Sequence, residues 1–475
     1  MLLFTALVLA TSWSTVFGAE ELEDNSKNRR ALIRDARIPR GIVYASDGRT
    51  VLVRNRRRGR GNNRYFSRTY PTGGLFSHAV GYSFIQNGRR SLEQSRNDAL
   101  AGEEDEFESL LTQVESRERE GFDVVTTLDA RAQRAVLQAL GGRKGGVVAI
   151  EPRTDKVRAM VSVPEYDANA IPDRFAQLNR DPNKPMLNRT TQELYPPGST
   201  FKVVTAAAAL DSGKFTPQSA VNGSSPKTVS GTPLANAGGQ SFGTIPLTDA
   251  LTKSVNTVWA QVGLSIGRGT LLEYMERFGF NADPKLDYPD GQMAPSGIYD
   301  GKGRLVDAAT GFDIGRVAIG QGGQEGQIRT SPLQMAQVAA TVGNGGKLMR
   351  PRLTDRILRK DGRIKERIEP DLQHRVMSGK AAGQLGAMMA RVVEEGTGTA
   401  AALGGIKVAG KTGTAEIGAA AEFTQPWFIG FAPVDDPQMA VAVTVERQPS
   451  SSTGGETAGP IAKAVLESLL GSGAG

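Results

Sequence analysis

The chain has 475 residues, no cysteine and only two histidines, His78 and His374. That composition excludes a thiol nucleophile, a disulfide framework and a cysteine-based zinc site, and leaves little room for a serine-histidine-aspartate triad. The formal net charge is +7, with arginines gathered at Arg54, Arg56, Arg57, Arg58, Arg60, Arg64 and Arg68.

That run lacks interleaved stacking aromatics until Tyr65 and Phe66, and Gly59, Gly61, Asn62 and Asn63 give it turn character. A nucleic-acid partner is therefore not expected. The run reads as a solvated hairpin loop that can face anionic wall polymer or lipid headgroups.

In chain order, residues 1–19 are a nearly uncharged apolar segment, long enough to span a bilayer. Phe17-Gly18-Ala19 is a poor match to a small-x-small cleavage site, so an uncleaved transmembrane anchor is expected. Lys27, Arg29, Arg30, Arg34 and Arg37 follow it, which the positive-inside rule would place in the cytoplasm. A true start upstream with basic residues would restore the usual orientation, and is expected.

Residues 20–121 read as a smaller N-terminal module. Gly41-Ile42-Val43-Tyr44 and Thr50-Val51-Leu52-Val53 flank the turn Ser46-Asp47-Gly48 as a hairpin, and Glu103 to Glu120 is a charged helical stretch.

Residues 122–475 read as the main domain. An amphipathic helix over 130–140 starts at a cap, Asp129, and stops at Gly141. Strands over 146–151 and 157–163 follow. A mixed region over 215–405 leads to strands at 427–432 and 439–445 and a helix from Pro460 to Leu470. The two hairpins predict one antiparallel sheet flanked by the first and last helices, an α/β domain of α+β type with a mostly helical part.

The chemistry centres on Tyr195-Pro196-Pro197-Gly198-Ser199-Thr200-Phe201-Lys202. The prolines bar a helix before Gly198, and the alanine-rich run to Leu210 favours one after it. Ser199 thus sits at a helix N-terminus, where developing negative charge is stabilised. Lys202, one turn on, is placed to take the serine proton if its pKa is lowered. Ser-x-x-Lys alone is weak, arising by chance on the order of once or twice per chain. Ser224-Ser225-Pro226-Lys227 is such a decoy, a loop by its proline.

Two further motifs strengthen it. Ser254-Val255-Asn256 places a hydroxyl for proton relay two positions before an amide that can hold a carbonyl. Lys411-Thr412-Gly413-Thr414 on a strand edge can bind a carboxylate, with Gly413 admitting a close backbone. The three in this order match the serine-lysine set of penicillin-binding proteins and class A β-lactamases.

With these motifs and the stretches Ile319-Gly320-Gln321-Gly322 and Thr330-Ser331-Pro332, nearly the whole chain resembles the monofunctional class B penicillin-binding proteins, of the short penicillin-binding protein A type of actinobacteria. The resemblance implies a peptidoglycan D,D-transpeptidase inhibited by β-lactams, anchored in the cell membrane with its catalytic domain outside. By that resemblance Ser199 is the nucleophile, Lys202 the general base, Ser254 the relay and Asn256 the group orienting the donor peptide. Lys411 and Thr412 hold the terminal carboxylate beside Gly413, and the backbone N–H groups of Ser199 and Thr414 form the oxyanion hole. Residues 20–121 become a pedestal or dimerisation module. No cofactor or metal is implied, and no glycosyltransferase domain fits ahead of residue 140. A membrane glycan polymerase and division or elongation proteins are the implied partners, with stem peptides ending in D-Ala-D-Ala as substrate. The alternatives are a β-lactamase or D,D-carboxypeptidase, and a non-catalytic muropeptide receptor or scaffold.

Overall fold

The computed structural model describes residues 3–5, 13, 29–60, 64–103, 120–306, 311–323, 326–417 and 422–471. The expected anchor over 1–19 and the charged helix over 103–120 fall almost wholly outside these residues. Among the described residues no helix is long and apolar enough to cross a membrane.

Two compact units result, and their boundary departs from the simple cut at 121/122. The first joins the described part of Met1–Thr126 with Tyr166–Pro182 and Arg356–Arg367, and the second takes the rest. Two later excursions of the chain thus complete the N-terminal unit, which no local pattern in residues 20–121 could reveal.

In the first unit, strands β1 (Val43–Tyr44), β2 (Val51–Arg58), β3 (Tyr65–Thr69) and β4 (Asp123–Thr126) share a six-stranded sheet with Thr354–Leu358 and Ile364–Arg367. The expected hairpin pairs Val43 with Val53. Its turn is set by Asp47, whose carboxylate accepts from the N–H groups of Arg49 and Thr50 at 2.8 Å, and by Gly48 at φ +64°. β3 is the edge strand, next to β2. The arginine run forms this β2–β3 hairpin, but Arg68 is not solvated as expected. It is 4% exposed and reaches the fully buried Glu93, donating from Nε at 2.6 Å. Arg40 meets the same carboxylate at 3.2 Å.

The second unit is built on a sheet ordered β7 (Ala409–Ile417), β8 (Phe423–Ala432), β9 (Met439–Val445), β5 (Gly145–Ile150), β6 (Val157–Val163). All pairings are antiparallel, so the two hairpins meet through β9 and β5 as the sequence predicts. Every residue of β5 and β9 is buried, because helices cover both faces and leave no solvated side to alternate with. On one face pack α1 (Ala130–Leu140) and α6 (Gly459–Leu470), where Ala132, Val136, Leu140, Ile461, Val465 and Leu466 meet Val147, Ala149, Val441 and Val443. Asp129 caps α1, accepting from the N–H groups of Arg131 and Ala132, and Gly141 ends it in a left-handed turn.

The other face carries α4 (Pro332–Gly343) and, beyond it, α2 (Lys202–Asp211) among α3 (Asn256–Ile266) and α5 (Gly379–Glu394). Lys202 through Leu210 are all buried, and the run Ala206 to Ala209 lets neighbouring helices approach closely. A helix buried all round is a rigid mount, and Ser199 sits in the turn that leads into it.

Candidate active site

Ser199 lies in a single tight turn, Gly198–Phe201, that runs directly into α2. Pro197 enters with φ −74°, and Gly198 turns the chain at φ +52°, a conformation that favours glycine. Three contacts pin this turn from outside. Gly198 N–H donates to the Gly320 carbonyl at 3.0 Å, and a Cβ on Gly320 would come within 1.8 Å of Gly198 O. Trp427 Nε1 donates to the Pro196 carbonyl at 3.0 Å. Tyr195 and Thr330 exchange backbone hydrogen bonds at 2.9 and 2.8 Å.

Lys202 is fully buried. Its Nζ lies 2.9 Å from Ser199 Oγ, 2.7 Å from Asn256 Oδ1, and 2.8 and 3.2 Å from the carbonyl oxygen and Oγ of Ser254. Ser254 is held at φ +57°, the left-handed region uncommon for a non-glycine residue. That conformation places its hydroxyl between two amines, because Lys411 Nζ donates to the same Oγ at 2.9 Å. Asn256 opens α3 and donates from Nδ2 to the Ala235 carbonyl at 3.1 Å, which fixes its amide plane.

No carboxylate among the described residues hydrogen-bonds either lysine, so burial acts on both without an opposing anion. Burial first, and the charge of Lys411 second, push Lys202 well below the usual lysine range. Burial lowers Lys411 to about 7. Once deprotonated, the Lys202 amine has a lone pair 2.9 Å from Ser199 Oγ, within reach of its proton.

The third motif lies on β7, the edge strand beside the nucleophile turn. A Cβ on Gly413 would approach Pro197 O to 2.6 Å, and one on Gly198 would come within 3.1 Å of the Thr414 carbonyl carbon. Two glycines therefore bring the Thr414 backbone against the turn of Ser199. Thr412 Oγ1 lies 2.6 Å from Thr397 Oγ1, and Thr414 Oγ1 accepts from Gly454 N–H at 3.0 Å.

Ser199, Lys202, Ser254, Asn256 and Lys411 thus meet in one hydrogen-bonded cluster, with Thr412, Gly413 and Thr414 along its edge. The decoy serines stay apart: Ser224 bonds Asn222, and Lys227 reaches Gln261. His78 packs edge-on against Tyr166, and His374 lies on the Arg277 carbonyl. Sequence reasoning missed the supporting contacts of Gly320, Trp427, Thr397 and Gly454. Gly320 alone carried a signal, in the quoted Ile319-Gly320-Gln321-Gly322, while the other three meet their partners only across long stretches of chain.

Comparison with known proteins agrees with this geometry. The family model of the penicillin binding protein transpeptidase domain matches residues 145–467, and that of the penicillin binding protein A dimerisation domain matches residues 40–124. The chain is 34% identical to the peptidoglycan D,D-transpeptidase PbpA of Mycolicibacterium smegmatis, over 100% of this chain and 97% of that protein. The fold matches the ceftriaxone acyl-enzyme complex of penicillin-binding protein A from M. tuberculosis with a TM-score of 0.81 and 32% identity, over 92% of this chain and 100% of that one. The corresponding penicillin G acyl-enzyme complex gives 0.79 and 32%, over 91% and 100%. This chain belongs to the class B penicillin-binding proteins.

Proposed function

We propose that the cluster performs serine-type D,D-transpeptidation on peptidoglycan stem peptides, with Ser199 as the acyl carrier. The Ser199 hydroxyl proton passes to neutral Lys202 as Oγ attacks the penultimate D-alanine carbonyl. The oxyanion forms beside the backbone N–H groups of Ser199 and Thr414, at the positive end of α2. The C–N bond then breaks. The leaving D-alanine amine takes a proton from the Lys202 ammonium through Ser254 Oγ, which lies 3.2 Å from that amine. Lys411, with Thr412, pairs with the terminal carboxylate, and Asn256 orients the donor peptide. In the second half an acceptor amine attacks the Ser199 ester and yields its proton to Lys202. Ser199 leaves with a proton and the cross-link is made. A β-lactam enters the first half and stops there.

The observation that carries this reading is the Lys202 amine, buried without a carboxylate partner and within hydrogen-bond reach of both Ser199 and Ser254. Rapid hydrolysis of the ester, as in a class A β-lactamase, needs an added general base such as a glutamate poised over it. Glu416 is exposed, and neither it nor Glu193 hydrogen-bonds Ser199, Lys202, Ser254 or Asn256. We further propose that residues 1–19 anchor the chain, that the catalytic unit works outside the membrane, and that glycan polymerisation comes from a separate membrane enzyme.

A stem-peptide donor ending in D-Ala-D-Ala, incubated with the purified chain and an amine acceptor, tests the reaction class. The expected product is the amide of donor and acceptor. Free shortened donor alone, unaffected by acceptor concentration, would assign a carboxypeptidase.

A further inference from the structure

The arginine-rich hairpin has no part in the proposed chemistry, yet it lines a cavity in the first unit. This cavity, of about 540 Å³, wraps the edge strand β3. Five arginines line it, Arg40, Arg56, Arg58, Arg68 and Arg89, against two aspartates, Asp35 and Asp173.

The charges do not balance within the protein. Arg40, Arg68 and Arg89 are each at most 8% exposed, and they share two buried carboxylates, Glu93 and Asp35. Their nitrogens are not all satisfied. Arg40 Nε, Arg68 Nη2 and Arg89 Nε are buried without a hydrogen-bond partner, as is one acceptor, Asp35 Oδ1. Leaving one buried charged donor unpaired is costly, and here three belong to neighbouring guanidiniums around one cavity. Arg40 shows the strain, since burial outweighs Glu93 and lowers it to about 10. Arg56 and Arg58 add two exposed cations at the rim, on the β3 side of the hairpin. The remaining wall mixes apolar side chains such as Leu32, Phe66, Phe84 and Ile85 with the polar Ser67, Ser83 and Asn169.

We propose that this cavity is a binding site for an oxyanion, a phosphate or carboxylate group carried by a ligand with an apolar or uncharged body. The guanidinium fork matches both groups in bidentate geometry, and an entering oxyanion offsets the excess positive charge of the lining. The volume exceeds what a lone inorganic anion fills, so the group is one end of a larger molecule. The site is separate from the cluster around Ser199 and does not depend on the reaction proposed there.

Calorimetric titration of the purified full chain with sodium phosphate, and separately with citrate, at constant ionic strength held by sodium chloride tests this. Saturable one-to-one heats are expected from at least one probe, with Kd below about 5 mM, and the tighter probe identifies the group. Replacing Arg68 leaves Glu93 unpaired and risks unfolding, so the informative variants are the exposed pair R56S/R58S and the conservative R89K. Each should weaken binding at least about fivefold, a loss of about 1 kcal/mol, while an unfolding profile in urea like the parent's shows the chain still folded. Ser199→Ala should bind as tightly as the parent. No saturable heat with either probe, or heats unchanged in both arginine variants, would overturn the site.

Discussion

Two buried groups of cations in this chain meet opposite fates. Around Ser199, Lys202 and Lys411 are fully buried with hydroxyls, carbonyls and an amide for company and, among the described residues, no carboxylate hydrogen-bonded to either. In the first unit, Arg40 and Arg68 are equally dry but share Glu93, to which Tyr70 also donates at 3.4 Å. Burial drives the lysines toward neutrality, and they become reactive. Burial also raises the Glu93 carboxyl, but Arg68 and then Arg40 outweigh it and hold that carboxyl below its ordinary range. Lysine can shed its proton and arginine cannot, so the same dry surroundings make a base in one place and a fixed ionic joint in the other.

The largest expected consequence lies at Lys202. Lys202→Ala should slow β-lactam acylation at least about a thousandfold, about 4 kcal/mol of barrier. Lys202→Arg should do nearly as badly, because a guanidinium stays protonated and offers no lone pair. A Lys202→Arg variant within tenfold of the parent in stopped-flow acylation would show that charge, not basicity, is what the position supplies.

In the arginine joint the expected effect is on stability. Glu93→Gln leaves two buried guanidiniums without their anion and should cost about 3 to 5 kcal/mol in urea unfolding of the first transition. Its pH dependence has a definite sign. A carboxylate held below its unfolded pKa contributes stability above that unfolded pKa and loses it as pH falls through the folded value. The parent should therefore weaken more on acidification than Glu93→Gln does.

Lys411 ranks next. Lys411→Ala should slow acylation about tenfold to a hundredfold through lost carboxylate pairing, roughly 1.4 to 2.7 kcal/mol. The parent profile should be bell-shaped. It rises as Lys202 loses its proton, and falls above about 7 as Lys411 loses its own. Lys411→Arg keeps its charge throughout, so the falling limb should vanish even if the maximum is lower. Smallest of all, Arg56→Ser with Arg58→Ser should leave the acylation rate within about threefold, since neither residue touches the Ser199 cluster.

Much of this contrast was legible in the sequence, but unevenly. The proline pair, Gly198 and the alanine run announced the nucleophile turn, because local backbone limits act within a few residues. The spacing of Ser199 and Lys202 on one helical face gave their contact. The two hairpins carried enough apolar run to predict the sheet, although which edge it presents to Ser199 follows only from the β7–β8 pairing. Arg68 looked like its solvated neighbours, and nothing local marks it as the partner of Glu93, twenty-five positions on. The contributions of Tyr166–Pro182 and Arg356–Arg367 to the first unit were equally hidden, as were Trp427 on Pro196 and Gly454 on Thr414. All of these are long-range pairings, set by the folded register rather than by any pattern along the chain.

The central claim is that Ser199 is activated by a neutral Lys202 and that, among the described residues, no carboxylate is poised to hydrolyse the resulting ester. Intact-protein mass spectrometry after mixing with benzylpenicillin tests it most directly. The account predicts one intact drug added at Ser199, persisting for many minutes, with no adduct in Ser199→Ala. An adduct that vanishes within seconds while free drug is hydrolysed in step would contradict it.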